Sequence, residues 1–158
     1  MRSGPSGPDM PLEVATPGLA IEERPDPCVV VLFGASGDLG TRELVPSLFE
    51  LYAKSLLPES FAIVGVARSD WSNEEYRERM RRSVEENCSV GCDDFDDFLG
   101  HLYYVAGDVG DDDAYARLAS VLDEICGARD IPGNLVFHLA LPPRFFPDAV
   151  RGLDAADL

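Results

Sequence analysis

A strand, a glycine-rich turn and a helix follow one another near the start of the chain, and they constrain the fold more than any other feature. Residues Val29 to Phe33 are consecutive apolar residues rich in β-branched types, as is typical of a parallel strand buried on both faces. Glycines follow at Gly34, Gly37 and Gly40, and an amphipathic helix pattern continues from them. Glycine permits a tight turn and close approach to a ligand, and a helix N-terminus offers unpaired N–H donors. The segment therefore predicts a turn that holds the pyrophosphate of a dinucleotide.

The glycines are spaced G-x-x-G-x-x-G, whereas the commoner dinucleotide-binding turn is G-x-G-x-x-G. A glycine triplet alone is weak support, and a plain structural turn is the alternative; the position between a strand and a helix favours the binding turn. Within the turn, Ser36 either adds a hydroxyl donor to a phosphate oxygen or is an ordinary turn residue. Asp38 is interpreted as a cap of the following helix, because a carboxylate would repel a phosphate.

The charge of the chain restricts its partners. The sequence has 29 acidic and 13 basic residues, a formal net charge of −16, which argues against nucleic acid and anionic membranes. A phosphate site must then be built locally, from backbone donors and a few placed arginines. No stretch resembles a secretory signal or the run of about 20 apolar residues that spans a membrane. With 158 residues and 46% hydrophobic content, one domain with a sizeable core is expected.

Neither the cysteines nor the acidic clusters predict a metal site. The four cysteines are spread along the chain, and the Cys88-x₃-Cys92 pair has no second pair and no nearby histidine. The clusters Asp93–Asp97 and Asp111–Asp113 are interpreted as solvated loops and helix starts rather than as metal ligands. Reduced thiols in a cytoplasmic protein are therefore expected.

Residues 1–27 differ in composition from the rest of the chain. They contain six of the twelve prolines and no sustained hydrophobic period, so a disordered, Pro/Gly-rich tail is expected. From residue 28 to residue 158, strand and helix patterns alternate, which predicts an α/β domain with right-handed crossovers. The sequence predicts strands at 28–33, 61–67, 101–106 and 135–140, a first helix that ends near 54 and is interrupted at Pro46, and helices at 72–88 and 112–126.

This alternation predicts a doubly wound, Rossmann-type parallel sheet with strand order 3-2-1-4. The order reverses between the first and fourth strands, and a crevice for the ligand is expected there. Ser72 and Glu75 form a capping-box pattern at the start of the second helix. The domain is expected to be incomplete at its C-terminus, because a complete dinucleotide domain has further strands.

Three further strand ends carry candidate site residues. Arg68 follows the second strand, where an NAD site usually has a carboxylate; a guanidinium can instead pair with a 2′-phosphate, so NADP is predicted. Asp108 and Val109 follow the third strand, where an adenine would lie. Leu141 and Pro142 follow the fourth, where a stiff loop suits either a wall beside a nicotinamide ring or a simple chain reversal.

Taken together, these segments resemble the N-terminal coenzyme domain of the glucose-6-phosphate dehydrogenase family, over roughly residues 28 to 150. The resemblance implies that Gly34, Ala35, Ser36, Gly37, Asp38 and Leu39 contact the pyrophosphate, Arg68 the 2′-phosphate, Asp108 and Val109 the adenosine side, and Leu141 with Pro142 the nicotinamide side. The segments that carry it are Phe33-Gly-Ala-Ser-Gly-Asp-Leu39, Leu57-Pro58, Ile63-Val-Gly-Val-Ala-Arg68, Tyr103-Tyr-Val-Ala-Gly-Asp108 and Phe137-His-Leu-Ala-Leu-Pro-Pro143.

That family oxidises glucose 6-phosphate to a lactone and passes the hydride to NADP, and its full-length members are expected to form homo-oligomers. The chain departs from the family pattern at Gly40, where alanine is usual, and at Glu43, where a lysine is expected. The change to Gly40 is expected to be mild. Glu43 is expected to weaken the binding of anionic ligands, with partial compensation by Arg42.

The catalytic histidine and the substrate-phosphate ligands of the family are expected beyond this stretch. His101 and His138 are interpreted as packed or edge residues rather than as bases. No catalytic residue is therefore predicted within the chain, and the chain alone is expected to be inactive.

Two alternatives stay open at this point. One is a module that binds NADP without turnover. The other is the N-terminal part of an extended short-chain dehydrogenase or sugar epimerase, whose glycine turn has the same spacing. Such enzymes use a Tyr-x-x-x-Lys pair, and none of the chain's five tyrosines has a lysine four residues on.

Overall fold

Four parallel strands form the single sheet of the computed structural model, which describes residues 24–88 and 95–158. The strands are β1 (Cys28–Phe33), β2 (Phe61–Ala67), β3 (Leu102–Ala106) and β4 (Leu135–Leu139). The strands lie in the order β3-β2-β1-β4, and all three pairings are parallel. The predicted doubly wound α/β class and strand order are therefore confirmed. The bounds of β1 and β2 match the prediction, β3 begins one residue later, and β4 ends one residue earlier.

The helices flank this sheet on both faces. They are α1 (Val45–Ala53), α2 (Asn73–Asn87), α3 (Phe95–Leu99), α4 (Asp112–Arg129) and α5 (Phe146–Ala155), with a 3₁₀ turn over Pro143–Phe145. The sequence did not predict α3, and α4 continues three residues past the predicted end at Cys126. No helix in the described ranges is long and apolar enough to cross a membrane.

The helix that follows the glycine turn begins with a π-helical segment, Gly40–Leu44, before α1. The predicted interruption at Pro46 is confirmed, and its cause is a missing donor: in an i→i+5 ladder the carbonyl of Thr41 would accept from residue 46, and proline has no N–H. The buried hydroxyl of Ser83 on α2 donates to the Thr41 carbonyl instead. The π segment is thereby tied to α2.

The predicted capping box of α2 and the predicted acidic start of α4 are confirmed. Ser72 Oγ accepts from Glu75 N at 3.1 Å, and Glu75 Oε2 accepts from Ser72 N at 2.8 Å, which completes the capping box. Asp111 caps α4 by accepting from Asp113 N at 3.1 Å. Asp96 and Asp97 lie in the first turn of α3. The predictions for Cys92, for the first two aspartates of that cluster and for most of the tail concern residues outside the described ranges.

The sheet separates two hydrophobic cores. One contains Leu32, Ile63 and Phe49 beneath α1, α2 and α3, and the other contains Val31 and Val64 beneath α4 and α5. All seven residues of β2 are buried, whereas β4 is only partly covered. The carboxyl ends of all four strands meet at one edge, where the order reverses between β1 and β4, so the topology places a crevice at that edge.

Candidate functional site

A cleft of about 370 Å³ lies at this carboxyl edge of the sheet. The loops that follow all four strands contribute to its walls. The predicted site residues that line it are Gly34, Ser36, Gly37, Arg68, Asp108, Val109, Leu141 and Pro142. Residues from four separate strand ends therefore come together in one site.

Gly34 begins the turn in a conformation that only glycine adopts without strain. Its φ is +80°, and a Cβ built there would lie 2.2 Å from the carbonyl oxygen of Ala140. Its N–H donates to Val66 O at 2.8 Å, while Ala140 N donates to Phe33 O at 3.0 Å. The turn is thus held against β2 on one side and against the loop after β4 on the other.

The other two glycines keep the turn compact. Gly37 N donates to Gly34 O at 3.0 Å, and a Cβ on Gly40 would lie 2.9 Å from both the Cα and the carbonyl oxygen of Ala35. Glycine at position 40 thus permits close packing against Ala35, in keeping with the expectation that it is a mild change from the family pattern; an alanine there would require the backbone of Ala35 to shift. Ala35 itself is fully buried in the core, and its side chain does not line the cleft.

Asp38 and Leu39 lie outside the cleft. Asp38 is in the first helical turn rather than at its cap, so the interpretation of Asp38 as a cap is wrong. Its side chain is 94% exposed, and its Oδ1 lies 3.6 Å from Nε of Arg42. Thr41 Oγ1 donates to Gly37 O at 2.9 Å. Leu39 is 44% exposed, and Glu43 is exposed and does not line the cleft. Arg42 is therefore occupied by a neighbouring acid.

Arg68 follows β2 directly and lines the cleft beside the loop that follows β3. Its side chain is exposed, and among the described residues it forms no ion pair. Tyr104 holds the segment around it, because its hydroxyl donates to Ser69 O at 2.7 Å and to Ala67 O at 3.1 Å. Burial raises the pKa of Tyr104 to about 12, which keeps this donor protonated. The backbone under Arg68 is thus fixed while its guanidinium is available.

The loop after β3 is anchored from below by two contacts. Gly107 N donates to Ala67 O at 2.8 Å, and Tyr115 Oη donates to Val109 O at 3.0 Å. A Cβ on Gly107 would lie 2.2 Å from the Cβ of Ala114, so glycine lets α4 approach this loop closely. Asp108 is exposed on the rim.

Two residues of the site were missed by the sequence reasoning. Arg144 and Phe145 line the cleft, and the guanidinium carbon of Arg144 lies 4.6 Å from the centroid of the Phe145 ring. Both belong to the 3₁₀ turn that follows Pro142. The signal that could have found them is their position directly after two prolines at a strand end, which fixes the direction of the next side chains.

Neither histidine lines the cleft. His101 lies at the opposite end of the sheet, with its ring stacked on Phe61 at 4.1 Å, and burial lowers its pKa. His138 is exposed on β4, which is an edge strand of the described sheet. Both positions agree with the interpretation of these residues as packed or edge residues.

The residues that line the cleft offer donor chemistry that suits a dinucleotide. The absence of side chains at Gly34 and Gly37 opens the backbone to a pyrophosphate. The unpaired Arg68 stands at the strand end where this topology binds the ribose 2′-hydroxyl of NAD. Parallel order 3-2-1-4, the glycine turn and a ligand crevice at the reversal define the class: a dinucleotide-binding domain of the Rossmann type.

The comparisons with known proteins give the family. The model of the family described as "Glucose-6-phosphate dehydrogenase, NAD binding domain" matches residues 31–158. The chain belongs to the glucose-6-phosphate dehydrogenase family and contains its coenzyme-binding domain. The predicted resemblance is confirmed, and so is a nicotinamide coenzyme for the domain. Because the chain belongs to this family, the alternative of a short-chain dehydrogenase or epimerase is wrong.

Individual relatives agree with the family model. The chain is 40% identical over 125 residues to glucose-6-phosphate 1-dehydrogenase of Bacillus subtilis, covering 79% of this chain and 25% of that protein. It is 37% identical over 134 residues to glucose-6-phosphate 1-dehydrogenase 2 of Mycobacterium tuberculosis, covering 84% and 26%.

Solved structures show the same likeness in three dimensions. A glucose-6-phosphate dehydrogenase in complex with its substrate glucose-6-phosphate superposes with a TM-score of 0.73 at 33% identity, covering 83% of this chain and 28% of that one. The enzyme from Mycobacterium avium gives 0.72 at 30% identity, covering 85% and 28%. The chain therefore spans about a quarter of the length of the relatives it matches.

Proposed function

We propose that the chain is the NADP-binding part of a glucose-6-phosphate dehydrogenase, which oxidises glucose 6-phosphate to 6-phosphogluconolactone. The observation that carries the proposal is the unpaired Arg68 beside the glycine turn in one cleft. In a chain of net charge −16, an arginine without a carboxylate partner at this strand end is a ready site for a 2′-phosphate.

Each wall of the cleft has a role in this proposal. Gly34 and Gly37 bring backbone donors to the pyrophosphate, Arg68 pairs with the 2′-phosphate, and Leu141 with Pro142 covers one face of the nicotinamide. When bound, NADP supplies the ring that accepts the hydride from C1 of the sugar. Leu141 and Pro142 carry no ionisable group, so this wall orients the ring and excludes water from it without taking part in proton transfer.

No histidine lines the cleft among the described residues. In this proposal, the group that removes the proton from the sugar hydroxyl and the glucose 6-phosphate ligands belong to the part of the relatives' length that this chain does not match. The chain alone is expected to bind the coenzyme without turnover, as the binding-module alternative also supposes. Homo-oligomerisation of the complete protein stays a prediction.

A cytoplasmic location is part of the same proposal. It is supported by Cys28, Cys88 and Cys126, which are free thiols as expected in a reducing compartment. Fractionation of the source cells, with detection of the chain in the cytosolic fraction, tests this part; recovery with membranes would contradict it.

The coenzyme assignment is tested by calorimetric titration of the chain with NADP and with NAD. Arg68→Gln is expected to weaken NADP binding by roughly 10- to 100-fold and NAD binding by much less, because only NADP carries the 2′-phosphate. Arg68→Asp is expected to abolish the preference for NADP.

Arg82→Gln is the matched control, since it removes the same charge from an exposed ion pair with Glu78 on α2. It is expected to change neither affinity beyond the small effect of net charge. If Arg68→Gln left the ratio of the two affinities unchanged, the 2′-phosphate assignment would be wrong.

A further inference from the structure

We propose that Arg144 is a second anion-binding residue of the cleft and that it holds the pyrophosphate of the coenzyme from the side opposite the glycine turn. This inference rests on the proposed coenzyme function and adds to it a residue outside the predicted site. It is carried by three observations: the pairing of the other arginines, the closeness of the two loops, and the stacking of the Arg144 side chain.

Most arginines in the described ranges are already engaged by acids. The six that pair with a carboxylate are Arg24, Arg42, Arg81, Arg82, Arg117 and Arg151. Arg77 and Arg129 donate to backbone carbonyls, and Arg79 lies over the ring of Trp71 at 4.3 Å.

Three arginines of the described residues then have neither an acid nor a carbonyl partner: Arg68, Arg79 and Arg144. Arg79 lies over Trp71 away from the cleft, whereas Arg68 and Arg144 both line it. In a chain with 29 acidic and 13 basic residues, these two guanidinium groups lie in one cleft without a carboxylate partner. Their joint position in one cleft indicates a site that keeps two guanidinium groups available for an anionic ligand.

The loop that carries Arg144 lies directly against the glycine turn. The Cβ position of Gly34 is 2.2 Å from the Ala140 carbonyl oxygen and 3.3 Å from a methyl carbon of Leu141. Arg144 follows Leu141 by three residues, a span of at most about 11 Å, and the 3₁₀ turn shortens it further. A ligand phosphate held by the turn is therefore within the reach of an arginine side chain from this loop.

The conformation of Arg144 suits a phosphate. Its guanidinium lies over the Phe145 ring, with 4.6 Å between the guanidinium carbon and the ring centroid. Stacking on a ring occupies the face of the guanidinium and leaves its N–H edge free for bidentate donation to oxygen. Phe145 thus acts as a positioning residue for Arg144.

Arg68 and Arg144 are expected to differ in which phosphate they contact. Arg68 stands at the end of β2, and its partner is the 2′-phosphate that only NADP carries. Arg144 stands beside the glycine turn, and its partner is the pyrophosphate that NADP and NAD share. The two roles predict different patterns of affinity loss, which makes the assignment testable.

The experiment is calorimetric titration of the chain and its Arg144→Gln variant with NADP, NAD and 2′,5′-ADP, in the absence of sugar phosphate. Arg144→Gln is expected to weaken NADP and NAD by the same factor, about tenfold, and to leave their ratio unchanged. Adenosine 2′,5′-bisphosphate lacks the nicotinamide-side phosphate, so its affinity is expected to change less. Arg82→Gln is the charge-matched control and is expected to bind all three ligands as the unchanged chain does.

Each other outcome decides against part of the proposal. Unchanged coenzyme affinity in Arg144→Gln would overturn the pyrophosphate assignment and leave the coenzyme function standing, and an Arg144 that serves a sugar phosphate would give this result. A loss confined to NADP would overturn it as well, because it would place Arg144 at the 2′-phosphate. If the unchanged chain bound neither coenzyme, the proposed function and the Arg144 assignment would both fall.

Discussion

The two ends of the sheet use arginine in opposite ways. At the amino end, Arg129 donates to Gly100 O at 2.7 Å and to Tyr103 Oη at 3.0 Å, and its Nη1 lies 2.8 Å from His101 Nδ1. At the carboxyl end, Arg68 and Arg144 line a cleft without acid or carbonyl partners among the described residues. Donors satisfied within the chain stabilise the fold, whereas donors left unpaired are available to a ligand.

The turns at the two ends of the sheet also differ in how strictly they require a particular residue. Asp130 ends α4 with φ 55°, a left-handed conformation that aspartate tolerates at a helix terminus. Gly34 has φ +80° with the Ala140 carbonyl where a Cβ would lie, so no other residue fits. The turn at the amino end needs only a permissive residue, but the turn at the carboxyl end needs the space that glycine leaves.

Gly34→Ala is expected to have the largest effect, because it fills that space. The clash with the Ala140 carbonyl and the strained φ are expected to lower the free energy of unfolding by roughly 2 to 4 kcal/mol. Coenzyme affinity is expected to fall with it, since the loops after β1 and β4 must separate. Urea unfolding and NADP titration measure the two effects.

Gly127→Ala is the matched control for that substitution. Gly127 lies in α4 with nothing within 4 Å of its Cβ position, and alanine is the better helix former. A gain of about 0.5 to 1 kcal/mol with unchanged NADP affinity is expected. Equal losses in both variants would contradict the steric role of Gly34.

Arg129→Met tests the structural use of arginine at the amino end. The variant loses hydrogen bonds to Gly100 and Tyr103 and a cation in the last turn of α4, so a loss of about 1 to 3 kcal/mol in the free energy of unfolding is expected. NADP affinity is expected to stay unchanged. If the variant had unchanged stability, or lost coenzyme binding while folded, the distinction between a structural arginine at the amino end and ligand-binding arginines at the carboxyl end would be wrong.

The sheet was predictable from the sequence because its signals are local. The apolar run of β2 reads as a buried parallel strand and is buried at every position, and the Ser72–Glu75 pattern forms the capping box it predicts. The strand order predicted from this alternation reverses between β1 and β4. Eight of the eleven predicted site residues line the cleft at that edge of the sheet.

What the sequence did not predict depends on contacts between distant segments. The π-helical start at Gly40–Leu44 depends on Ser83, which lies about 40 residues away and replaces the donor that Pro46 lacks. The place of Arg144 in the cleft depends on the 3₁₀ turn that follows β4 and on the packing of that loop against the glycine turn. The exclusion of Asp38 and Leu39 from the cleft follows from the direction of the helix, which residue types alone do not give.

Tyr76→Phe removes a buried hydroxyl that packs against β2. Unlike the preceding variants Gly34→Ala and Arg129→Met, it is expected to raise the free energy of unfolding, and by a smaller amount. The Tyr76 hydroxyl is buried without a hydrogen-bond partner among the described residues, and it packs at Gly65 in the middle of β2. Burial raises the pKa of Tyr76, so the group stays neutral, but its desolvation is uncompensated. Removal of the oxygen is expected to raise the free energy of unfolding by about 1 kcal/mol.

Tyr104→Phe is the matched comparison for that gain. The Tyr104 ring lies 5.0 Å from the Tyr76 ring, but its hydroxyl donates to two carbonyls. The same chemical change is therefore expected to destabilise the chain by about 1 kcal/mol. Thermal unfolding of both variants decides the matter, and a loss of stability in Tyr76→Phe would mean that its hydroxyl has a partner.

The smallest expected effect is a pH dependence at the amino end. Burial and the nearby Arg129 cation lower the pKa of His101, while its hydrogen bond to Phe61 O and the charge of Asp97 oppose the shift. The unfolded chain therefore takes up a proton near pH 6.5 that the folded chain takes up only at lower pH. Stability that is present above pH 6.5 is then lost as the pH falls towards the folded pKa.

His101→Phe keeps the ring against Phe61 and removes the titrating group, so its unfolding free energy is expected to fall less than that of the unchanged chain between pH 7.5 and 5.5. Arg129→Met is expected to flatten the dependence in part, because it removes the cation that lies 2.8 Å from the histidine ring nitrogen. NADP affinity should be the same in His101→Phe, since the ring is at the far end of the sheet from the cleft. Equal pH slopes in all three proteins would mean that His101 is not the titrating group, and the acidic side chains would then carry the dependence.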